Sequence, residues 1–130
     1  MCPPYNDNIM LILVFSVQLN WLPAVGALAF LEVQEGNGTA ALNRLAPLKQ
    51  KNPNDPALLA LEGEVNLVLQ RYPEAAQAYE ASLRVYTYEQ HRDDWALVMY
   101  SLGNVYYFMP GGNRQAYLEQ AVACYQAVLQ

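Results

Sequence analysis

The sequence predicts an all-α fold in which about three helical hairpins follow one another as an α-solenoid. Three observations support this prediction. A skeleton of small and large residues recurs 34 residues apart, which is typical of repeat proteins. Apolar residues follow helical spacing between turn signals, and no segment alternates as a strand would. The chain of 130 residues is also 54% hydrophobic, which is enough apolar surface for a full core.

Residues 1–20 form an apolar N-terminal segment with more than one interpretation. The stretch from Ile9 to Leu31 carries no charge over 23 residues, long enough to cross a bilayer, so a membrane contact through residues 9–31 stays open. A signal peptide would begin with basic residues, and none precedes Ile9. The apolar run also suits a helix that covers the first repeat and is capped by Asn6, Asp7 or Asn8. A third interpretation is that the run results from the choice of the translation start site.

Residues 21–130 are predicted to form one repeat domain, with units near 22–55, 56–89 and 94–130. In unit one, a helix runs from about Trp21 to Gln34, and the sequence Gly36-Asn37-Gly38 marks a turn. Thr39 is the expected N-cap of the second helix, which closes at Asn52-Pro53. The positions that repeat 34 residues later are Ala41, Leu45 and Leu48.

Unit two has the clearest start and stop signals. Asp55 is a good N-cap, and Pro56 suits the first helical position, where no amide donor is needed. A tight turn at Arg71-Tyr72-Pro73 then separates the two helices. One face of the second helix carries Ala75, Tyr79 and Ser82, at the spacing of neighbouring turns.

Unit three is longer than the other two. Asp93 and Asp94 are expected to cap a helix that begins near Trp95, because carboxylates satisfy free amides and the helix dipole. A turn at residues 110–113 precedes a final helix from about Arg114 to Gln130. About six extra residues lie between Gly103 and Ala121, compared with Gly63 and Ala75, and they fit a longer turn and one more helical turn.

These units resemble the tetratricopeptide repeat (TPR), a 34-residue helix-turn-helix. At the packing positions of that family, unit two carries Leu59, Gly63, Ala75, Tyr79 and Ser82. Unit three carries Met99, Leu102, Gly103, Tyr106, Ala121 and Tyr125, and unit one keeps Leu28, Ala41 and Pro53. The longer third unit looks like the extended repeats of bacterial multi-repeat proteins. The resemblance implies a right-handed solenoid that binds proteins or peptides.

Composition argues against several classes of function. The net charge of −5, with scattered basic residues, disfavours nucleic acid, which needs a clustered basic surface. His91, Asp93 and Asp94 could be read as a metal cluster, but the two acids are better explained by the helix start. With a single His and no glycine-rich phosphate loop after a strand, no catalytic arrangement can be proposed. We therefore expect no enzyme activity, no cofactor and no metal.

The repeat register places an aromatic face of unit three in the concave groove. The groove residues predicted from this register are Phe30 in unit one, Ala60, Glu64 and Leu67 in unit two, and Tyr100, Asn104, Tyr107 and Phe108 in unit three. Either a partner or the N-terminal segment could cover the unit-three residues. The predicted function is a non-enzymatic scaffold that binds a peptide or partner helix in this groove.

A second class of function is a self-assembling or membrane-tethered structural module. The last helix carries two apolar stripes, of which one contains Leu118, Val122, Tyr125 and Leu129. Together the two stripes form an apolar surface that is wider than one neighbouring helix can cover. We therefore expect homo-oligomerisation through the C-terminal helix, or a place in a longer array. The predicted location is cytoplasmic, with membrane tethering or export through the N-terminal segment as the alternative.

Overall fold

The computed structural model describes Leu28 and residues 31–130. Its helices are α1 (Gly38–Lys51), α2 (Pro56–Val68), α3 (Tyr72–Leu83), α4 (Arg92–Phe108) and α5 (Arg114–Leu129). Residues 31–34 are helical as well, and no strand occurs in the described part of the chain. The all-α prediction is therefore confirmed. The N-terminal segment 1–20, the expected start of a helix at Trp21 and most of the apolar stretch 9–31 lie outside the described residues.

The helix boundaries follow local signals in the sequence. Asp55 is the N-cap of α2, with its Oδ1 accepting a hydrogen bond from the backbone nitrogen of Ala57 at 3.1 Å. Pro56 occupies the first turn, as predicted, because its missing N–H costs nothing there. Pro73 also lies in the first turn of α3, as the second residue of a helix that begins at Tyr72, inside the predicted turn. The final helix begins at Arg114, directly after the predicted turn.

Two predicted caps are wrong. The N-cap of α1 is Asn37, whose carbonyl already accepts hydrogen bonds from the backbone nitrogens of Ala40 and Ala41, so Thr39 lies inside the first turn. Likewise, α4 begins one residue after His91, and this places Asp93 and Asp94 within the first turn, without a side-chain cap bond. The two acids still lie at the positive end of the helix dipole.

Each helix packs mainly against its neighbour in sequence. α1 contacts α2, α2 contacts α3, α3 contacts α4, and α4 contacts α5; α2 also approaches α4. Helix α2 lies at the centre of this arrangement and is buried on nearly all sides. One of its stripes, with Leu58, Leu61 and Val65, joins an apolar cluster with α1, and the other, with Ala57, Ala60 and Leu67, joins a cluster with α3 and α4.

Two glycines allow two helix pairs to approach closely. A Cβ atom added to Gly63 on α2 would lie 2.8 Å from the ring of Tyr79 on α3. A Cβ added to Gly103 on α4 would lie 2.7 Å from the ring of Tyr125 on α5. The same contact, a glycine beneath a tyrosine ring, therefore occurs in both helix pairs. It agrees with the packing role predicted for these glycines.

Candidate protein-interaction surface

Helix α4 has one buried side and one exposed aromatic side. Val98, Leu102 and Val105 are at most 5% exposed and pack into the core. The opposite side carries Tyr100, Asn104, Tyr107 and Phe108, which we call the aromatic face. Its three aromatic side chains are 43%, 48% and 53% exposed, in that order. Monomeric proteins place few large aromatic groups next to one another in water, so this face is the strongest candidate for a binding surface.

The aromatic face is held in place by its neighbours. The rings of Tyr107 and Phe108 meet edge to face, with centroids 4.9 Å apart, and Phe108 stacks on Tyr72 at 6.2 Å. The guanidinium of Arg114 lies 5.2 Å from the centroid of the Tyr107 ring and donates a hydrogen bond to the carbonyl of Tyr107. A cation over a ring and an edge-to-face contact both favour the observed ring positions. These aromatic groups are therefore partly organised before any partner arrives.

Asn104 connects the aromatic face to α5. The hydroxyl of Tyr125 donates a hydrogen bond of 2.5 Å to Oδ1 of Asn104, and the rings of Tyr100 and Tyr125 lie 5.8 Å apart. Burial, and to a smaller extent the nearby Tyr100, raise the pKa of Tyr125. The carbonyl of Asn104 is thus engaged inside the protein. Its amide nitrogen forms no hydrogen bond with the described residues and is the group that can face a ligand.

The predicted groove residues of unit two do not line an open surface. Ala60, Glu64 and Leu67 are only 0%, 1% and 6% exposed. The physical reason is that α3 and α4 pack over this side of α2, so that Ala60 and Leu67 share an apolar cluster with both helices. The described structure therefore confines the exposed part of the predicted groove to α4. Phe30, the predicted groove residue of unit one, lies outside the described residues.

Glu64 instead belongs to a buried polar cluster between three helices. Its Oε2 accepts a hydrogen bond of 2.7 Å from the hydroxyl of Tyr79, while Oε1 is buried without a hydrogen-bond partner. Burial raises the pKa of Glu64 to about 7, and the Tyr79 hydrogen bond opposes this rise. Burial and the carboxylate of Glu64 raise the pKa of Tyr79, whereas a hydrogen bond with Ser101 on α4 lowers it. Glu64 is thus a structural group here, and its side chain does not reach an outside ligand.

The residues considered for a metal site are used otherwise. Among the described residues, no group of three His, Cys, Asp or Glu side chains could hold a metal ion. Asp93 and Asp94 lie in the first turn of α4, and the centroid of the His91 ring lies 5.4 Å from that of Tyr86.

The sequence alone did not indicate that Tyr72 and Arg114 would contact the aromatic face. Their only signal is that each stands at the start of a helix that follows a turn.

Comparisons with known proteins leave the surface to be interpreted from its own chemistry. No family model, no curated protein and no solved structure matches this chain. Within the described residues, no helix combines the length and the apolar character needed to cross a membrane. A ligand for the aromatic face can therefore be inferred only from its side chains.

Proposed function

We propose that this chain is a non-enzymatic protein-interaction module that binds a peptide or partner helix through the aromatic face of α4. The observation that carries the proposal is the joint exposure of Tyr100, Tyr107 and Phe108 on one helix. Tyrosine rings offer large, rigid contact areas with a polar tip, and such side chains dominate the energetics of interfaces. The amide of Asn104 adds a donor suited to a peptide carbonyl.

The architecture we propose is a right-handed α-solenoid of the tetratricopeptide type. Two features support it. The glycine-tyrosine contact recurs in the pairs α2–α3 and α4–α5, and neighbouring helices supply nearly all contacts, as stacked repeats require. We also propose a cytoplasmic location; Cys124 is buried and forms no disulfide with the described residues, which is compatible with a reducing compartment. Separation of soluble and membrane fractions of cells that express the full chain would test the location against membrane tethering.

Photo-crosslinking tests the binding surface. A photoreactive phenylalanine analogue at position 100 should capture a partner, whose affinity is then measured for the wild type and for variants. Replacing Tyr100 and Tyr107 together by Ala should weaken binding by about 2 kcal/mol or more, as loss of interface anchors does. Higher salt should have only a modest effect, because few charges take part.

Tyr88 provides the matched control for this experiment. It is 38% exposed, but it lies in the turn before α4, where its ring contacts Trp95 at 5.2 Å. The Tyr88→Ala variant should bind as the wild type does. Binding that survives the Tyr100/Tyr107 double replacement, or that is lost equally in Tyr88→Ala, would refute the proposed surface.

A second candidate function, self-assembly, is favoured by the outer stripe of α5. The α3 residues Tyr72, Ala76, Tyr79 and Leu83 pack in the cluster that includes α4. Their counterparts 46 residues later in the sequence are Leu118, Val122, Tyr125 and Leu129. In this second stripe Tyr125 packs against α4, whereas Val122 and Leu129 are 50% and 85% exposed.

A stripe that is covered in one repeat and partly open in the next, at Val122 and Leu129, is suited to receive a further helix, which a second copy of the chain would supply. Light scattering over a range of concentrations should then show a rising mass, and Leu129→Glu should abolish the rise. A constant monomer mass at high concentration would exclude self-assembly and would leave the proposal for the aromatic face unaffected.

A further inference from the structure

A cleft of about 380 Å³ lies between α1 and α3, with α2 as its floor. Its lining extends from Leu42 to Lys49 on α1 and from Glu74 to Ala81 on α3, which is two helical turns, or about 10 Å, on each side. No Cα atom of α1 comes within 8 Å of one of α3, so these two helices leave the space between them open. The aromatic face belongs to α4, and none of its residues lines this cleft.

The bottom of the cleft carries apolar side chains beside the polar Glu62 and Asn66 of α2, and part of each wall is formed by small side chains. Leu45 and Leu59 lie at the bottom and are 2% and 6% exposed. The walls carry alanines, Ala46 on α1 and Ala81 on α3, where larger side chains would close the space. Pockets that bind ligands are mostly apolar, with a few polar groups at fixed places. The cleft has the size and lining of such a pocket.

The polar groups of the cleft have an excess of negative charge. Nζ of Lys49 lies 2.9 Å from Oε2 of Glu62, so this pair neutralises itself on one side. Glu74 stands on the opposite wall, in the first turn of α3, and no hydrogen bond or ion pair joins it to the described residues. The lining therefore carries one free carboxylate, on a chain whose net charge is −5. A cationic group is the electrostatic complement of this rim.

We propose that this cleft binds a short amphipathic helix of a protein partner, which presents two apolar side chains one turn apart and a basic residue beside them. Two turns of a helical ligand match the two turns of each wall, and side chains four apart lie on one face of a helix. The apolar pair occupies the space over Leu45 and Leu59. The basic residue pairs with Glu74. This site is independent of the aromatic face, so either can fail without the other.

A designed peptide pair tests the proposal on the full chain. The probe is an alanine-based helical peptide with two leucines one turn apart and a lysine at each end of that stripe; the comparison peptide carries glutamates instead. Backbone amide shifts measured by NMR should change on α1, α2 and α3 around the cleft with the lysine peptide. The lysine peptide should bind about tenfold more tightly than the glutamate peptide, since only the first complements the rim.

Two variants with matched controls locate the binding. Ala81→Leu places a larger side chain in the cleft and should weaken binding of the lysine peptide about tenfold. Ala123→Leu, on the exposed side of α5, should leave this binding unchanged. Glu74→Gln should weaken it about threefold, and Glu89→Gln, in the turn before α4, should leave it unchanged. Thermal melts confirm that each variant folds. Equal binding of both peptides, shifts confined to α4 and α5, or full affinity in both cleft variants would overturn the proposal.

Discussion

Replacing Glu64 by glutamine should remove a pH dependence from the stability of the protein. Glu64 is 1% exposed and one of its carboxyl oxygens is buried without a hydrogen-bond partner, so ionisation inside the fold is unfavourable. Burial raises the pKa of this group from 4.5 to about 7. The folded chain therefore holds a proton that the unfolded chain releases throughout the pH range between these two values.

The sign of the effect follows from proton linkage. Because the folded state binds the proton more tightly, its extra stability is fully present below the unfolded pKa and is lost as the pH rises through the folded pKa. Each pKa unit corresponds to about 1.4 kcal/mol, so the rise of the Glu64 pKa is worth about 3 kcal/mol between pH 4 and pH 8. Glutamine keeps an oxygen for the hydroxyl of Tyr79 and cannot ionise.

Urea unfolding followed by circular dichroism, at several pH values between 4 and 8, measures the contribution of Glu64 to the free energy of unfolding. The free energy of unfolding of the wild type, minus that of Glu64→Gln, should fall by about 3 kcal/mol as the pH rises. The subtraction cancels groups that both proteins share, such as Asp94, whose pKa is also raised by burial. Glu62→Gln serves as the control, because its surface ion pair with Lys49 should contribute less than about 1 kcal/mol. A difference that stays flat with pH would refute the argument that Glu64 is buried and held protonated.

Two further predictions concern backbone positions and need only thermal or urea melts. Gly63→Ala should destabilise the fold by about 1 to 3 kcal/mol, because the new methyl group meets the fully buried ring of Tyr79. Gly103→Ala should cost less, since the ring of Tyr125 is only partly buried and can move outward; equal losses at both sites would contradict this reasoning. Gln70 has a φ of 63° in the turn after α2, a conformation that favours glycine, so Gln70→Gly should raise stability by about 1 kcal/mol. A loss of stability there would show that the side chain of Gln70 matters more than its backbone angle.

The features that the sequence predicted well depend on residues close together in the chain or on fixed repeat spacing. Asp55 and Pro56 begin α2 because capping is decided within one turn. The contact between Gly63 and Tyr79 follows from the hairpin, in which helix spacing and a short turn leave few ways to pack. The cap predicted at Thr39 was wrong, because α1 begins two residues earlier than expected, where the carbonyl of Asn37 accepts the first helical hydrogen bonds.

The predicted groove could be located only in part. A helix that is apolar on nearly all sides has no polar side, so its sequence pattern does not show which side faces solvent. Ten of the residues of α2 are buried, so its pattern cannot tell which side meets α3 and α4. Ala60, Glu64 and Leu67 were therefore assigned to an open groove, although neighbouring helices cover them. On α4 the pattern was sharper, with aliphatic residues on one side and Tyr100 and Tyr107 on the other, and there the predicted exposure agrees with the structure.

The sequential contact pattern of the helices also determines how the fold comes apart. Because α1 to α5 contact mainly their neighbours in sequence, little chain has to be closed into loops for these contacts to form, and folding of such chains is fast. Helix α5, which among the described helices packs only against α4, can detach while the other helices stay paired, since opening need not be global. We therefore expect the amide hydrogens of α2, which is covered from both sides, to exchange last with solvent. Among the helices of the pairs α2–α3 and α4–α5, we expect those of α5, which has one open side, to exchange first. Protection from exchange should therefore be highest in α2 and should decrease from α2 towards α5.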